Sequence, residues 1–275
     1  MSDLILCDMH VHSKSSHDSL ASVCDTAIFA INNNASAFAI TDHCDIEFFN
    51  EHNVFSLIES SFNETTEALT KFKDKIKILR GVELGEAIWN MDYTNKILNF
   101  FDFDVVIASV HAVRYKNYTA PYSTLDFSKM SKQDIDGYMN VYFDDVLKTV
   151  KCVSCDIIAH LTCPLRYING KYGLNIESKK YESKIIPILK YIIDNSIAME
   201  INTSGIGSAY DCFLPENWII EKFKEMGGYL VTLGSDAHIS ENLCKDFQIA
   251  ISTLKKFGFT DYYYFENRKA IKCSM

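Results

Sequence analysis

Six of the chain's eight histidines stand at the ends of short apolar runs, and no other feature of the sequence constrains the fold as much. The runs span residues 4–7, 37–40, 76–79, 104–110, 156–159, 198–201 and 229–233. Each has the length of a buried strand, and several are rich in Ile and Val. Between them, residues 55–72, 132–150, 179–193, 216–226 and 242–257 carry apolar positions at helical spacing. Strands alternating with helices predict βα units and a parallel sheet. Seven such units in 275 residues predict an α/β chain closed, or nearly closed, into a barrel. A doubly wound open sheet is the structural alternative. No Pro/Gly/Ser-rich linker or charge block divides the chain, so a single domain over residues 1–275 is expected.

The residues that follow the runs are polar. The first run leads into Asp8-Met9-His10-Val11-His12, and the second into Thr41-Asp42-His43. The third leads to Gly81-Val82-Glu83-Leu84-Gly85, the fourth ends at Ser109-Val110-His111, and the fifth at His160. The sixth closes with Glu200-Ile201-Asn202-Thr203 and the seventh with Gly234-Ser235-Asp236-Ala237-His238. Only His17 and His52 lie elsewhere. In a parallel barrel all these ends share one face. One such His is most simply a core residue with a backbone partner. Six on one rim, mixed with carboxylates, instead make a site for divalent transition metals. Alternate side chains of a strand point the same way, so His10 and His12 can chelate one ion. Asp236-Ala237-His238 repeats the device at the other end of the chain.

The stretches DMHVHSKSSHDS, AITDH, GVELG, ASVHA, IIAH, EINTSG and TLGSDAH resemble the motifs of the PHP (polymerase and histidinol phosphatase) family, most closely its stand-alone histidinol-phosphatase branch. The similarity runs from about residue 4 to residue 240. It implies a distorted (β/α)7 TIM-like barrel with a cluster of two to three divalent ions at the C-terminal ends of the strands. By motif, the first ion would take His10, His12, Glu83 and Asp236. Glu83 would bridge to a second ion held also by His111 and His160. A third would take Asp18, His43 and His238, with His17 a competitor for the place of Asp18. Mixed N/O ligands admit Zn, Fe, Mn or Co.

The implied reaction is hydrolysis of a phosphomonoester, with L-histidinol phosphate of histidine biosynthesis as the favoured substrate. A hydroxide held between two ions bridged by Glu83 would attack phosphorus. Water on the third ion, His238 or Asp18 would protonate the leaving alkoxide. Arg166, in Leu165-Arg166-Tyr167, resembles the branch's Arg-Tyr and is the expected phosphate clamp. Arg114 is a weaker candidate for the same role. One departure stands out: the branch commonly continues EINTSG with Leu-Arg, and here Ile206-Gly207-Ser208 follows. Tyr115, Tyr118 and Tyr122 could line a pocket for an imidazole or another ring. Asp42, Glu200 and Asn202 are expected to orient ligands, and Glu86 to be solvated.

Composition narrows the alternatives. With 27 Lys+Arg against 36 Asp+Glu the formal charge is −9, which argues against a nucleic-acid polymer as partner. No apolar run is long enough to span a membrane, and the first residues do not read as a secretory signal. Nine Cys at irregular spacing argue against a disulfide framework and for the cytoplasm. Three rivals remain: a PHP phosphoesterase acting on another small ester or a nucleotide, an amidohydrolase, and a non-catalytic metal-binding scaffold.

Overall fold

The structure is a computed structural model that describes residues 5–46 and 53–275. His52 and the start of the first apolar run lie outside the described residues. In chain order the strands are β1 (Cys7–Val11), β2 (Ala37–Ile40), β3 (His43–Asp45), β4 (Lys77–Gly85), β5 (Val105–Ser109), β6 (Ile157–Ile158), β7 (Ala198–Asn202), β8 (Val231–Gly234), β9 (Asp261–Glu266) and β10 (Lys269–Ser274). The helices are α1 (Val23–Asn32), α2 (Val54–Phe72), α3 (Met91–Phe100), α4 (Lys132–Cys152), α5 (Cys163–Leu165), α6 (Glu182–Asp194), α7 (Asn217–Glu225) and α8 (Phe247–Lys256).

Seven strands pair in parallel in the order β1-β2-β4-β5-β6-β7-β8, and β3 adds to the upper part of β4. The chain just after β8 brings the ring round to β1. Asp236 N donates to His10 O at 2.9 Å, and His12 N donates to Ala237 O at 2.9 Å. The result is a nearly closed seven-stranded barrel, as the seven βα units predict, and the open sheet is set aside. Helices wrap it outside. Their inward residues, among them Tyr138 and Phe143 of α4, Ile188 of α6, Phe223 of α7 and Phe247 of α8, are buried against the strands. Burial of this apolar area is the main force holding the layers together.

Strand bounds differ instructively from the apolar runs. β1 begins where the first run ends, and all of its residues, Asp8 and His10 included, are buried. β4 continues six residues past Leu79 to Gly85 and buries Glu83. The apolar half of each strand is the half that packs under helices. The polar half is equally buried but pairs with itself at the barrel mouth, so hydrophobicity does not mark it. The helix expected over 242–257 begins only at Phe247, which leaves Asn242 at the end of a short 3-10 turn and Lys245 on the loop after it, both over that mouth.

The β9–β10 hairpin was not foreseen. It covers the opposite end of the barrel. Tyr262 Oη accepts from Cys7 N at 3.0 Å, and Asn267 N donates to Asp104 Oδ1 at 3.1 Å. Arg268 Nε pairs with Asp156. Asn267 and Arg268 both take positive φ, the geometry of a tight two-residue hairpin turn. The mouth with the histidines is therefore the barrel's open end.

Candidate metal centre

The polar strand ends meet in one cluster. Glu83, on β4, is fully buried at its middle. Its Oε1 lies 3.1 Å from His111 Nε2 and 3.0 Å from His160 Nε2. Its Oε2 lies 2.8 Å from His43 Nδ1, 3.4 Å from His10 Nε2 and 3.7 Å from His12 Nε2. Asp236 Oδ1 sits 3.3 Å from His12 Nε2 and 3.8 Å from His10 Nε2. Asp18, more exposed, spans the outer edge, 3.6 Å from His43 Nε2 and 3.3 Å from His238 Nε2. All nine residues expected to bind metal thus come together. His17 lies nearby, its ring 5.6 Å from that of His43.

Two of these residues adopt unusual backbone. Asp236 has φ 55° and His160 φ 26°, in the left-handed region that non-glycine residues seldom enter. Such strain is kept where neighbours over-determine it, which is the case here. His160 N donates to Glu200 Oε2 at 2.7 Å, and Asp236 N is held by His10 O.

The ring orientations are set from behind. His10 Nδ1 bonds Glu200 Oε1 at 2.7 Å, His111 Nδ1 bonds Asp45 Oδ1 at 3.1 Å, and His238 Nδ1 donates to Asp236 O at 2.9 Å. Each bond directs the opposite nitrogen, Nε2, into the cluster. There, His10 Nε2, His12 Nε2 and Glu83 Oε2 are buried without a hydrogen-bond partner. Buried polar atoms without a hydrogen bond are costly, and a cation among them, whether protons on the rings or a metal ion, removes that cost. His10–His12–Asp236, His10–Glu83–His160, His43–Glu83–His111 and His12–His43–His238 each bring three ligand atoms within 4.8 Å of one another. The donor set fits divalent ions.

Electrostatics agree. Burial works against charge on His10, yet Glu200, Glu83 and Asp236 hold its pKa well above the usual value. Burial likewise opposes charge on His43 and His111, and Asp45 with Glu83 overcomes it. Burial would raise Glu83 and Asp236, but the surrounding histidines hold both well below the carboxylate range. His12 differs: burial, then the charges of His43 and His238, push it down to about 3.

Outside the cluster the mouth opens into a cavity of about 800 Å³. Arg166 lines it, and its guanidinium donates to Ser204 Oγ at 3.0 Å. Tyr122 and Tyr167 line it as well. Arg114 does not meet the expectation placed on it. It is exposed, stacks 4.1 Å over the Trp89 ring, and is not among the described lining residues. Tyr115 and Tyr118 stack on each other instead of joining Tyr122 at the wall. Glu86, expected to be solvated, is buried, and its Oε1 accepts from Ala112 N at 2.8 Å and from His111 N. Asp42 holds a group of serines and reaches His43 only through Ser16.

Sequence reasoning missed Asp45 and Lys245. Asp45 stands two residues after His43, on the same face of β3, so the strand period could have found it. Lys245 lines the cavity from the loop before α8 and carried no signal, because a helix was expected there.

Among the described residues, no helix is long and apolar enough to cross a membrane. A family model described as "PHP domain" matches residues 8–204. A "Histidinol-phosphatase" of Lactococcus lactis subsp. lactis is 29% identical, over 96% of this chain and 98% of its own length. A "Probable histidinol-phosphatase" of Clostridium acetobutylicum is 27% identical, over 95% of this chain and 97% of its own. A crystal structure of histidinol phosphate phosphatase from Lactococcus lactis subsp. lactis, complexed with zinc, L-histidinol and phosphate, superposes with a TM-score of 0.78. That likeness has 24% identity and covers 98% of this chain and 100% of the other. With the family model matching well over half of its length, the chain belongs to the PHP domain family.

Proposed function

We propose that this protein is a metal-dependent histidinol-phosphatase, which converts L-histidinol phosphate and water to L-histidinol and phosphate. The observation that carries the reading is the set of buried ligand atoms His10 Nε2, His12 Nε2 and Glu83 Oε2, none with a hydrogen bond, behind a cavity lined by His43, His111, His160, Asp236 and Arg166. His10, His12, Glu83 and Asp236 would hold one ion, Glu83, His111 and His160 a second, and Asp18, His43 and His238 a third. Zinc, iron, manganese and cobalt all suit these ligands. When bound, such ions supply Lewis acidity, which activates water and neutralises phosphate charge.

The chain's own residues bind and orient the ester. Ser204 Oγ donates to Asn202 Oδ1 at 2.6 Å while accepting from Arg166, so the guanidinium is propped towards the cavity with other N–H groups free for phosphate oxygens. Lys245 offers a second positive charge on the same cavity. The edge formed by His238 and Asp18 is the part of the cluster nearest solvent, and an ion held there would supply the Lewis acidity that the leaving alkoxide needs. Glu83 has no such access and would be a ligand shared by two of the ions. The nine thiols are all free, which supports a reducing cytoplasm for the reaction.

A second reading has its own observation. Ile206, Gly207 and Ser208 line the cavity where the histidinol-phosphatase branch commonly carries an arginine, which favours a different small phosphate ester. Phosphate release from L-histidinol phosphate, mononucleotides and a phosphotyrosine peptide separates the two. At least tenfold higher kcat/KM for L-histidinol phosphate is expected. A tenfold preference for any other ester would overturn the substrate assignment and leave the metal centre standing.

A further inference from the structure

Behind His12 lies a chain of hydrogen-bonded groups, Ser16 and Asp42. We infer that Asp42 and Ser16 act as a positioning pair that fixes the ring tautomer of His12 and so presents its Nε2 lone pair to a divalent ion. The inference rests on the metal-centre reading above.

Asp42 is completely buried, and among the described residues its carboxylate is hydrogen-bonded by one backbone N–H and three hydroxyls. Ser13 N and Ser16 Oγ each lie 2.6 Å from Oδ1, and Ser13 Oγ lies 2.6 Å and Ser61 Oγ 2.5 Å from Oδ2. A carboxylate accepts and cannot donate. The single hydroxyl proton of Ser16 must therefore lie on the line to Asp42, since two lone pairs cannot face each other at that distance. A serine oxygen then has two acceptor positions left. His43 N–H, 3.1 Å away, takes one and cannot itself accept. His12 Nδ1, also 3.1 Å away, takes the other and must carry a proton. Every hydrogen-bonding position on Ser16 is thereby used.

In a neutral imidazole a proton on Nδ1 leaves Nε2 as a lone pair. His12 Nε2 faces Asp236 Oδ1 and Glu83 Oε2, which are also acceptors. Three acceptors turned together are stable around a cation. The same serine holds the backbone of His43, so one hydroxyl sets the ring of one candidate ligand and the main chain of another. Ser16 is 2% exposed and touches neither cavity nor ion site, which makes it a positioning residue and not a catalytic one.

The test uses the full chain stripped of metal. Two-bond ¹⁵N–¹H spectra, with His12→Asn as the assignment reference, should show His12 protonated on Nδ1. A ring protonated on Nε2 overturns the inference without any serine variant being needed. In Ser16→Ala the Nδ1 proton loses its acceptor, and one step of a Zn²⁺ titration should weaken about ten- to a hundredfold, as when an outer partner of a metal-bound histidine is removed. Ser61→Ala removes a different donor to the same carboxylate and should bind zinc as the unaltered chain does. Equal weakening in Ser61→Ala would mean that Ser16 only fills space, and equal affinity in Ser16→Ala would mean that it does nothing; either result overturns the inference alone. An unaltered chain that takes up no zinc would overturn the metal-centre reading together with it.

Discussion

A methyl group on Gly234 would lie 2.1 Å from Glu200 Oε1 and 2.8 Å from His10 Cβ. Neither neighbour can retreat cheaply, because Glu200 is tied at once to His10 Nδ1, His160 N and Asn202 Nδ2. Gly234→Ala should therefore lower turnover on the order of a hundredfold and reduce bound metal, by moving an orienting carboxylate. Parallel phosphate-release and metal-content assays check this, and a variant with unchanged values for both would contradict the account of Glu200. Eight of the nine clustered residues were legible in the sequence because each sits in a short motif at a strand end; Asp18, in the loop after β1, came only with the family resemblance. Glu86 and Ser16 were not, because their partners lie 25 and 26 positions away and no local pattern records that; Asp45 had only the strand period from His43 to mark it. Lys245 was hidden for a simpler reason: the segment before Phe247 has helical spacing but forms a loop.

The elements show a parallel division. β2, β5, β6, β7 and β8 fall on the apolar runs, since a strand buried on both faces reads as a continuous hydrophobic stretch. β1 and β4 drift towards the mouth because their later residues are polar and buried together. The β9–β10 hairpin escaped notice because its turn is Asn267-Arg268, without the glycine that usually marks such turns. Its role is structural and can be checked apart from the metal centre. Arg268 pairs with the nearly buried Asp156, whose Oδ2 also accepts from Val106 N at 2.8 Å, and donates to Ser154 O at 3.0 Å. Arg268→Ala would strand that carboxylate at the closed end of the barrel and should cost about 2 kcal/mol. Urea unfolding would show a lower midpoint, while kcat stays unchanged. A large fall in kcat with no loss of stability would mean that the two ends of the barrel are coupled in a way this account does not contain.

For the whole molecule, the formal charge of −9 argues against long polyanions. It does not bar a small phosphate ester, because Asp18, Glu83 and Asp236 face the histidines and two to three divalent ions would add about +4 to +6 at the mouth. The same cluster predicts how metal-free and loaded protein respond to pH. His10, His43, His111 and His238 have folded pKa values above the usual 6.5, where carboxylates overcome the effect of burial. Their stabilisation is full below that value and is lost as pH rises through the higher folded pKa values. Glu83 and Asp236 are shifted down, so theirs is present above the usual carboxylate range and is lost on acidification. The metal-free Tm should therefore fall as pH rises above neutrality. Added zinc, which displaces the histidine protons, should reverse that trend and release protons on binding. A metal-free Tm that climbs from pH 7 to pH 9 would contradict this linkage.

The most direct measurement is turnover of L-histidinol phosphate by one preparation before chelation, after chelation and after reloading, with elemental analysis at each stage. The account predicts two to three divalent ions per chain at the start, loss of nearly all phosphate release when they are removed, and recovery as they return. Full turnover by protein shown to be free of metal would contradict it.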